Sequence, residues 1–333
     1  MPRSTRNLTA AIVLVFTAPL VAEYLLGDLP LKLLGALVAL APMYGGGALL
    51  IREIARRRGL GWRGILVLGV AYTVIEEGFT TQSLFNPDYL KLHMHFLSHA
   101  AIPVLGIGGW WTLFMLNLHT FWSISVSIAL VEGLFPAWAD RPWLGKAGDS
   151  VVGALFLLGC VASTAISLKM DRFVASHMQL GVTALVALLV IAVALRLPRP
   201  TPPRGQLPVP SPWATGATTL LLGLGVLLIP ATWNWGAVAA MLGIDLVFLG
   251  LLAVFSRRTG WTRLHALSLA AGGALAYGLH AFLAKPLMGS VLAARISNAV
   301  FLALALAVIA AAVRRTARAS AVPEPVVAAM HGD

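Results

Sequence analysis

Ten apolar runs, each about as long as a bilayer is thick, limit this chain to one kind of fold. A helix needs roughly 20 apolar residues to cross a hydrocarbon core about 30 Å thick, and only helices or closed barrels satisfy their backbone groups there. Long continuous runs favour helices over the alternating pattern of a barrel. The runs predict spans near 8–27, 31–51, 63–83, 109–135, 150–169, 179–197, 214–233, 236–255, 264–284 and 292–313. The expected fold class is therefore all-α, a polytopic transmembrane helix bundle of about ten helices.

Charge tests that map independently. With the N-terminus inside, 18 of the 24 basic residues fall on the cytoplasmic side, among them Arg52, Arg56, Arg57, Arg58 and Arg63. Adding or removing one helix would scramble the alternation, so both termini are expected in the cytoplasm. Nine of the ten tryptophans fall at predicted membrane boundaries, Trp122 being the exception, as expected of an apolar ring with one N–H to satisfy. The net charge of +11 is spread over short loops between spans, which points to lipid headgroups and away from nucleic acid.

Arg3 and Arg6 ahead of the first run imitate a signal peptide, but no small-x-small cleavage site follows, and a retained first helix is expected. Arginine outnumbers lysine 19 to 5, a bias of high-GC bacterial genomes, so the expected location is a bacterial plasma membrane. A proline-rich stretch over 198–213 reads as an extended cytoplasmic linker between a six-helix part, 1–197, and a four-helix part, 214–314. Residues 315–333 read as a disordered tail. Cys160 stands alone, which leaves no intramolecular disulfide and no cysteine metal site.

Ionisable groups inside lipid cost several kcal/mol and are functional candidates, unless they are pairs that fix packing. At about 1.5 Å rise per residue, Glu23, Glu76, Glu77, His119, Asp245 and His280 fall in one layer of the outer half. Glu132 falls near the inner end of its helix and calls for no special explanation. Gly69, Thr73, Glu77 and Thr81 share one helical stripe, and His119, Ser123 and Ser127 share another. Two adjacent acids in lipid repel, so at least one of Glu76 and Glu77 is expected to hold a proton, which suits acid–base work. Ser268, Gly272, Ala276 and His280 form a small-residue stripe that lets two helices pack closely. In an outer loop, His93, His95 and His99 offer imidazoles to zinc or copper, but at no spacing tied to a defined geometry; neither metal nor cofactor is assigned.

Two glutamates on one membrane helix with a histidine on the next resemble the CPBP family, the CAAX-processing and bacteriocin-processing intramembrane proteases. The resemblance, confined to about sixty residues, implies that the acids Glu76 and Glu77 and the histidine His119 orient a water for peptide hydrolysis. Thr81 stands where that family's first motif has arginine, and Met115 where its second has phenylalanine. The third histidine would be His280 or His177, with Ala284 or Gly181 at the asparagine position. The segment from Tyr44 to Asp88 also resembles uncharacterised multi-pass membrane proteins of actinobacteria. The candidate catalytic residues are thus Glu76, Glu77, His119 and His280. Two other functions use the same residues differently. A proton-coupled small-molecule permease would carry protons on the acids, with breakers at Pro42 and at Pro230 in the corresponding second and seventh helices, whereas a noncatalytic scaffold would use them only for packing.

Overall fold

The computed structural model describes residues 7–201 and 208–321. Ten long helices cover the ten apolar runs: α1 Leu8–Leu25, α2 Ala36–Arg58, α3 Gly61–Ile75 continued by a wide turn over Glu76–Thr80, α4 Gly109–Leu134 and α5 Lys146–Asp171. The others are α6 His177–Arg196, α7 Pro212–Leu228, α8 Trp235–Phe255, α9 Arg263–Leu283 and α10 Val291–Ala321. Eight are long and apolar enough to span a membrane on their own; α3 carries its acids within the span and α7 has 17 residues. The strand content among the described residues is one two-residue pair, Ala101–Ile102 with Ile107–Gly108, in the loop before α4.

Local chemistry sets the ends. Asn7 accepts the Ala10 N–H at the start of α1, and a capping box between Ser176 and Gln179 opens α6. Ser211 caps α7, with Pro212 in the first turn where its missing N–H costs nothing. α2 ends on Gly59 at φ +68°, with Arg56, Arg57 and Arg58 in its last turn against the negative end of the helix dipole.

α2 departs from the expected 31–51. It starts at Ala36 and runs on to Arg58, because Arg52, Glu53 and Arg56 are paired inside the protein instead of lying in a solvated loop. The last helix likewise continues past 314 to Ala321, where Arg315 and Thr316 donate to the carbonyls of Leu134 and Gly133 at 3.0 and 3.2 Å. Residues 202–207 of the linker and 322–333 of the tail lie outside the described residues. The two proline breakers differ. Pro42 sits in a wide turn inside the second span, whereas Pro230 follows the end of α7.

α5 and α8 bury almost none of their residues, as lipid-facing helices should, while α1, α2, α4 and α9 bury half or more of theirs. The small-residue stripe of α9 packs on α7 at van der Waals range. A Cβ built on Gly272 would stand 2.1 Å from the Gly216 carbonyl oxygen, so only glycine admits this backbone-to-backbone contact. Trp122 of α4 lies flat on Tyr277 of α9, centroids 4.7 Å apart, and ties the four-helix part to the first six.

Trp143, expected at the inner headgroup boundary, is wholly buried in the protein. Its ring lies 3.4 Å beneath the Arg52 guanidinium, and its backbone N–H donates to Glu53. Arg52, 0% exposed, also pairs with Glu53 at 2.7 Å and Glu132 at 3.1 Å, and donates to the carbonyls of Trp138 and Ala139. Arg56 grips Glu132 through two nitrogens, at 2.8 and 2.6 Å. Glu132 is thus the centre of an ionic clamp at the basic end of the bundle.

Candidate functional site

Toward the opposite end, four spans converge on one buried group of polar side chains. Glu76 and Glu77 come from α3, His119 from α4, Glu23 from α1 and Tyr44 from α2. Each of these residues lies in a segment where the helix widens to i→i+5 hydrogen bonds: Leu20–Leu25, Ala41–Gly45, Glu76–Thr80 and Leu118–Val126. These are the four such segments among the described residues. The bonds include Asp28 N–H to the Glu23 carbonyl at 3.0 Å and Thr81 N–H to the Glu76 carbonyl at 2.9 Å. In a regular α-helix consecutive side chains diverge by about 100°. A wide turn reduces that divergence, which allows the adjacent Glu76 and Glu77 to reach the same imidazole.

The geometry is tight and dry. His119 Nε2 lies 2.7 Å from Glu77 Oε1 and 2.8 Å from Glu76 Oε2. All three residues are 5% exposed or less. One N–H cannot serve two acceptors, and its alignment favours Glu77; Glu76 Oε2 is left without a hydrogen bond of good geometry. Glu77 is held from every side. Its other oxygen accepts from the hydroxyls of Ser83 and Thr81, and Ser83 in turn accepts from Trp111 Nε1 at 3.1 Å. Ser123 lies 3.3 Å from His119 Nδ1, one turn along the stripe.

Two tyrosines flank the imidazole. The Tyr44 ring stacks on His119 with centroids 6.0 Å apart, and its hydroxyl donates to Glu23 Oε1 at 2.5 Å. Tyr72 tilts against the same ring at 5.9 Å, its own hydroxyl unpartnered. The segment after α3 covers this end: Gln82 accepts the Ala175 N–H, and Asp171 accepts from Asn86 and from the Leu90 N–H. Desolvation pushes the Tyr89 phenol in this cover well above the usual tyrosine range, with Glu77 and Glu76 adding to the shift.

The remaining candidates lie elsewhere. His280 is half-buried on α9, its Nδ1 unpartnered, and no hydrogen bond, ion pair or ring contact joins it to the cluster among the described residues. His177 is exposed at the start of α6. Asp245 accepts from Asn117 at 3.1 Å and lines a cavity of about 180 Å³ that extends from the basic end into the bundle. His93 pairs with Asp88, while His99 packs edge-on against Trp110. Among the described residues the one group of three that brings metal-ligating atoms together is Glu76, Glu77 and His119. Its N···O separations are hydrogen-bond lengths, and donors around a common zinc would stand about 3.3 Å apart, so a metal here would require the three to spread.

Tyr44, Tyr72, Ser83 and Trp111 belong to this group without a sequence motif that marks them. Tyr44 had a signal in its neighbourhood, the run Gly45 to Gly47: a Cβ on Gly45 would stand 2.0 Å from the Val15 carbonyl oxygen, so the glycine lets the wide turn of α2 press against α1.

A lipid-facing shell of apolar helices around a buried polar centre defines a multi-pass helical membrane protein. More particularly, the chain belongs to an uncharacterized membrane protein family, whose sequence model matches residues 12–229. That match takes in Glu23, Tyr44, Glu76, Glu77 and His119 and stops short of Asp245 and His280. No curated protein and no solved structure matches the chain.

Proposed function

We propose that the chain is an intramembrane hydrolase of the glutamate and histidine type, with Glu76, Glu77 and His119 as its reacting group, in a bacterial plasma membrane with the basic end in the cytoplasm. One observation carries the reading. The four wide helical turns among the described residues are the segments that deliver Glu23, Tyr44, Glu76, Glu77 and His119 to one place. Such turns cost hydrogen-bond geometry and cluster at functional sites, whereas packing alone would be served better by regular helix.

The roles follow from who is already occupied. Glu77, held by Ser83, Thr81 and His119, orients the imidazole. Glu76 Oε2, the acceptor left without a donor beside Nε2, takes a proton from an entering water; the water oxygen bonds to the peptide carbonyl carbon, and the His119 N–H turns from Glu77 to the developing oxyanion. As the C–N bond breaks, the proton held on Glu76 passes to the leaving amine. This division matches what the CPBP resemblance implies for the two acids and the first histidine. His280 has no part in it.

The test is a comparison of peptide termini in membranes of cells expressing the wild type, Glu76→Gln or His119→Ala, each at the same folded level. Cleavage products present with the wild type and lost with both variants are expected. Identical termini in all three would overturn the hydrolase reading.

A second reading, a proton-coupled permease, draws support from the cavity that reaches Asp245 from one end of the bundle. It differs in its readout: proteoliposomes would accumulate a solute without cleaving it.

A further inference from the structure

The cavity on the other side of α4 has a chemistry of its own. Asn117 and His119 are two residues apart on that helix and look in different directions, His119 to the acids of α3 and Asn117 to Asp245 of α8. The space at Asp245 is about 180 Å³ and is lined by α3, α4, α7, α8 and α9. An apolar cavity of roughly 150 Å³ accommodates benzene, so this one takes a group of about that size or slightly larger.

Its walls are almost wholly apolar, with Phe121 and Phe248 meeting edge to face at 5.3 Å and Trp122 beside them. The charge in the deep part is Asp245. Its one side-chain hydrogen bond comes from Asn117, which also donates to the Leu113 carbonyl, and no cationic side chain of the described residues pairs with it. Arg63 lines the cavity at its basic end. Asp245 lies eleven residues before Ser256, the lining residue of α8 at that end, or about 16 Å along the helix axis. A carboxylate at that depth is stabilised by a countercharge, and none of the described residues supplies one nearby.

We propose that this cavity binds an organic cation, a substituted ammonium with an aromatic or branched apolar body, whose charge meets Asp245 while its body packs on Phe121, Trp122 and Phe248. The ion pair neutralises the half-buried carboxylate. The ring faces add a cation–π attraction that grows as water is excluded.

The probes are phenyltrimethylammonium and its neutral isostere tert-butylbenzene, measured by equilibrium dialysis against the full chain in nanodiscs and corrected with empty nanodiscs. The wild type is expected to hold the cation at least tenfold more tightly than the hydrocarbon. Asp245→Asn should bring the ratio to about one. Phe248→Leu, which keeps bulk and removes the ring, should weaken the cation several-fold and leave the hydrocarbon within twofold; it decides the matter should Asp245→Asn fail to fold. Equal affinities in the wild type, or a cation preference undiminished from the wild type in whichever of the two variants folds, would overturn the proposal. Cleavage by the α3 and α4 group is independent of these readouts, so each reading fails alone.

Discussion

α2 and α4 each contribute to two buried polar clusters, and the clusters are built on opposite plans. At the basic end, Arg52 and Arg56 face Glu53 and Glu132; the charges balance, every carboxylate oxygen has a donor, and the helices there are regular. Two to three turns away, two acids share one imidazole while a third, Glu23, holds the Tyr44 hydroxyl; Glu76 Oε2 is left over, and the segments that carry the three acids, His119 and Tyr44 are wide turns. The first arrangement is what packing requires of buried charge: paired, hydrogen-bonded and complete. The second leaves donors and acceptors mismatched in a dry place, which selection retains for chemistry.

That comparison breaks first at Arg52. Its replacement by methionine leaves Glu53 with only the more distant Arg57 at 3.6 Å and takes one of the two cations from Glu132, and a buried ion pair stripped of one partner costs about 3–5 kcal/mol. Unfolding of Arg52→Met in detergent should show a loss of that size; a loss under about 1 kcal/mol would mean the clamp is dispensable. Next in size is Gly272→Leu, which forces a side chain into the α7 backbone and should cost about 1–3 kcal/mol, while Leu269→Ala on the same helix costs less. Equal midpoints for those two variants would contradict the close α7 to α9 contact.

A smaller effect sharpens the other cluster. Ser83→Ala removes a donor to Glu77 and the acceptor of Trp111 Nε1, worth about 1 kcal/mol. Because Glu77 then holds His119 less firmly, the proposed cleavage should fall more steeply than stability does. A variant with full activity and the wild-type midpoint would remove Ser83 from the site.

Much of this is legible in the sequence. Apolar run length and the alternation of basic loops yield ten helices, since both follow from the thickness and charge asymmetry of a bilayer. The stripes on α3 and α4 are legible too. Thr73 and Gly69 abut Thr120, and Glu77 and Thr81 meet beside His119, because a period of 3.6 carries them to one face. The wide turns are not legible, for one extra residue per turn leaves no mark in an apolar run, and so Tyr44 went unrecognised. Glu132 and Arg52 were read as boundary charges because their pairing depends on the Trp138 to Leu144 loop folding back beneath α2. Counting residues gives His280 the depth of His119, yet among the described residues no hydrogen bond or ion pair joins it to the cluster; depth follows from counting residues, and azimuth does not.

The contrast between the clusters is tested most directly by one substitution in each, read as unfolding midpoints side by side: Glu132→Gln and Glu76→Gln. Both remove a single negative charge from a buried carboxylate and keep its shape. Glu132→Gln should lower the midpoint sharply, since Arg52 and Arg56 lose their shared counter-ion, while Glu76→Gln should leave it unchanged or raise it, since the surplus acid beside His119 and Glu77 is relieved. A midpoint for Glu76→Gln that falls as far as that of Glu132→Gln would contradict the account and make the acid and imidazole cluster a second structural clamp.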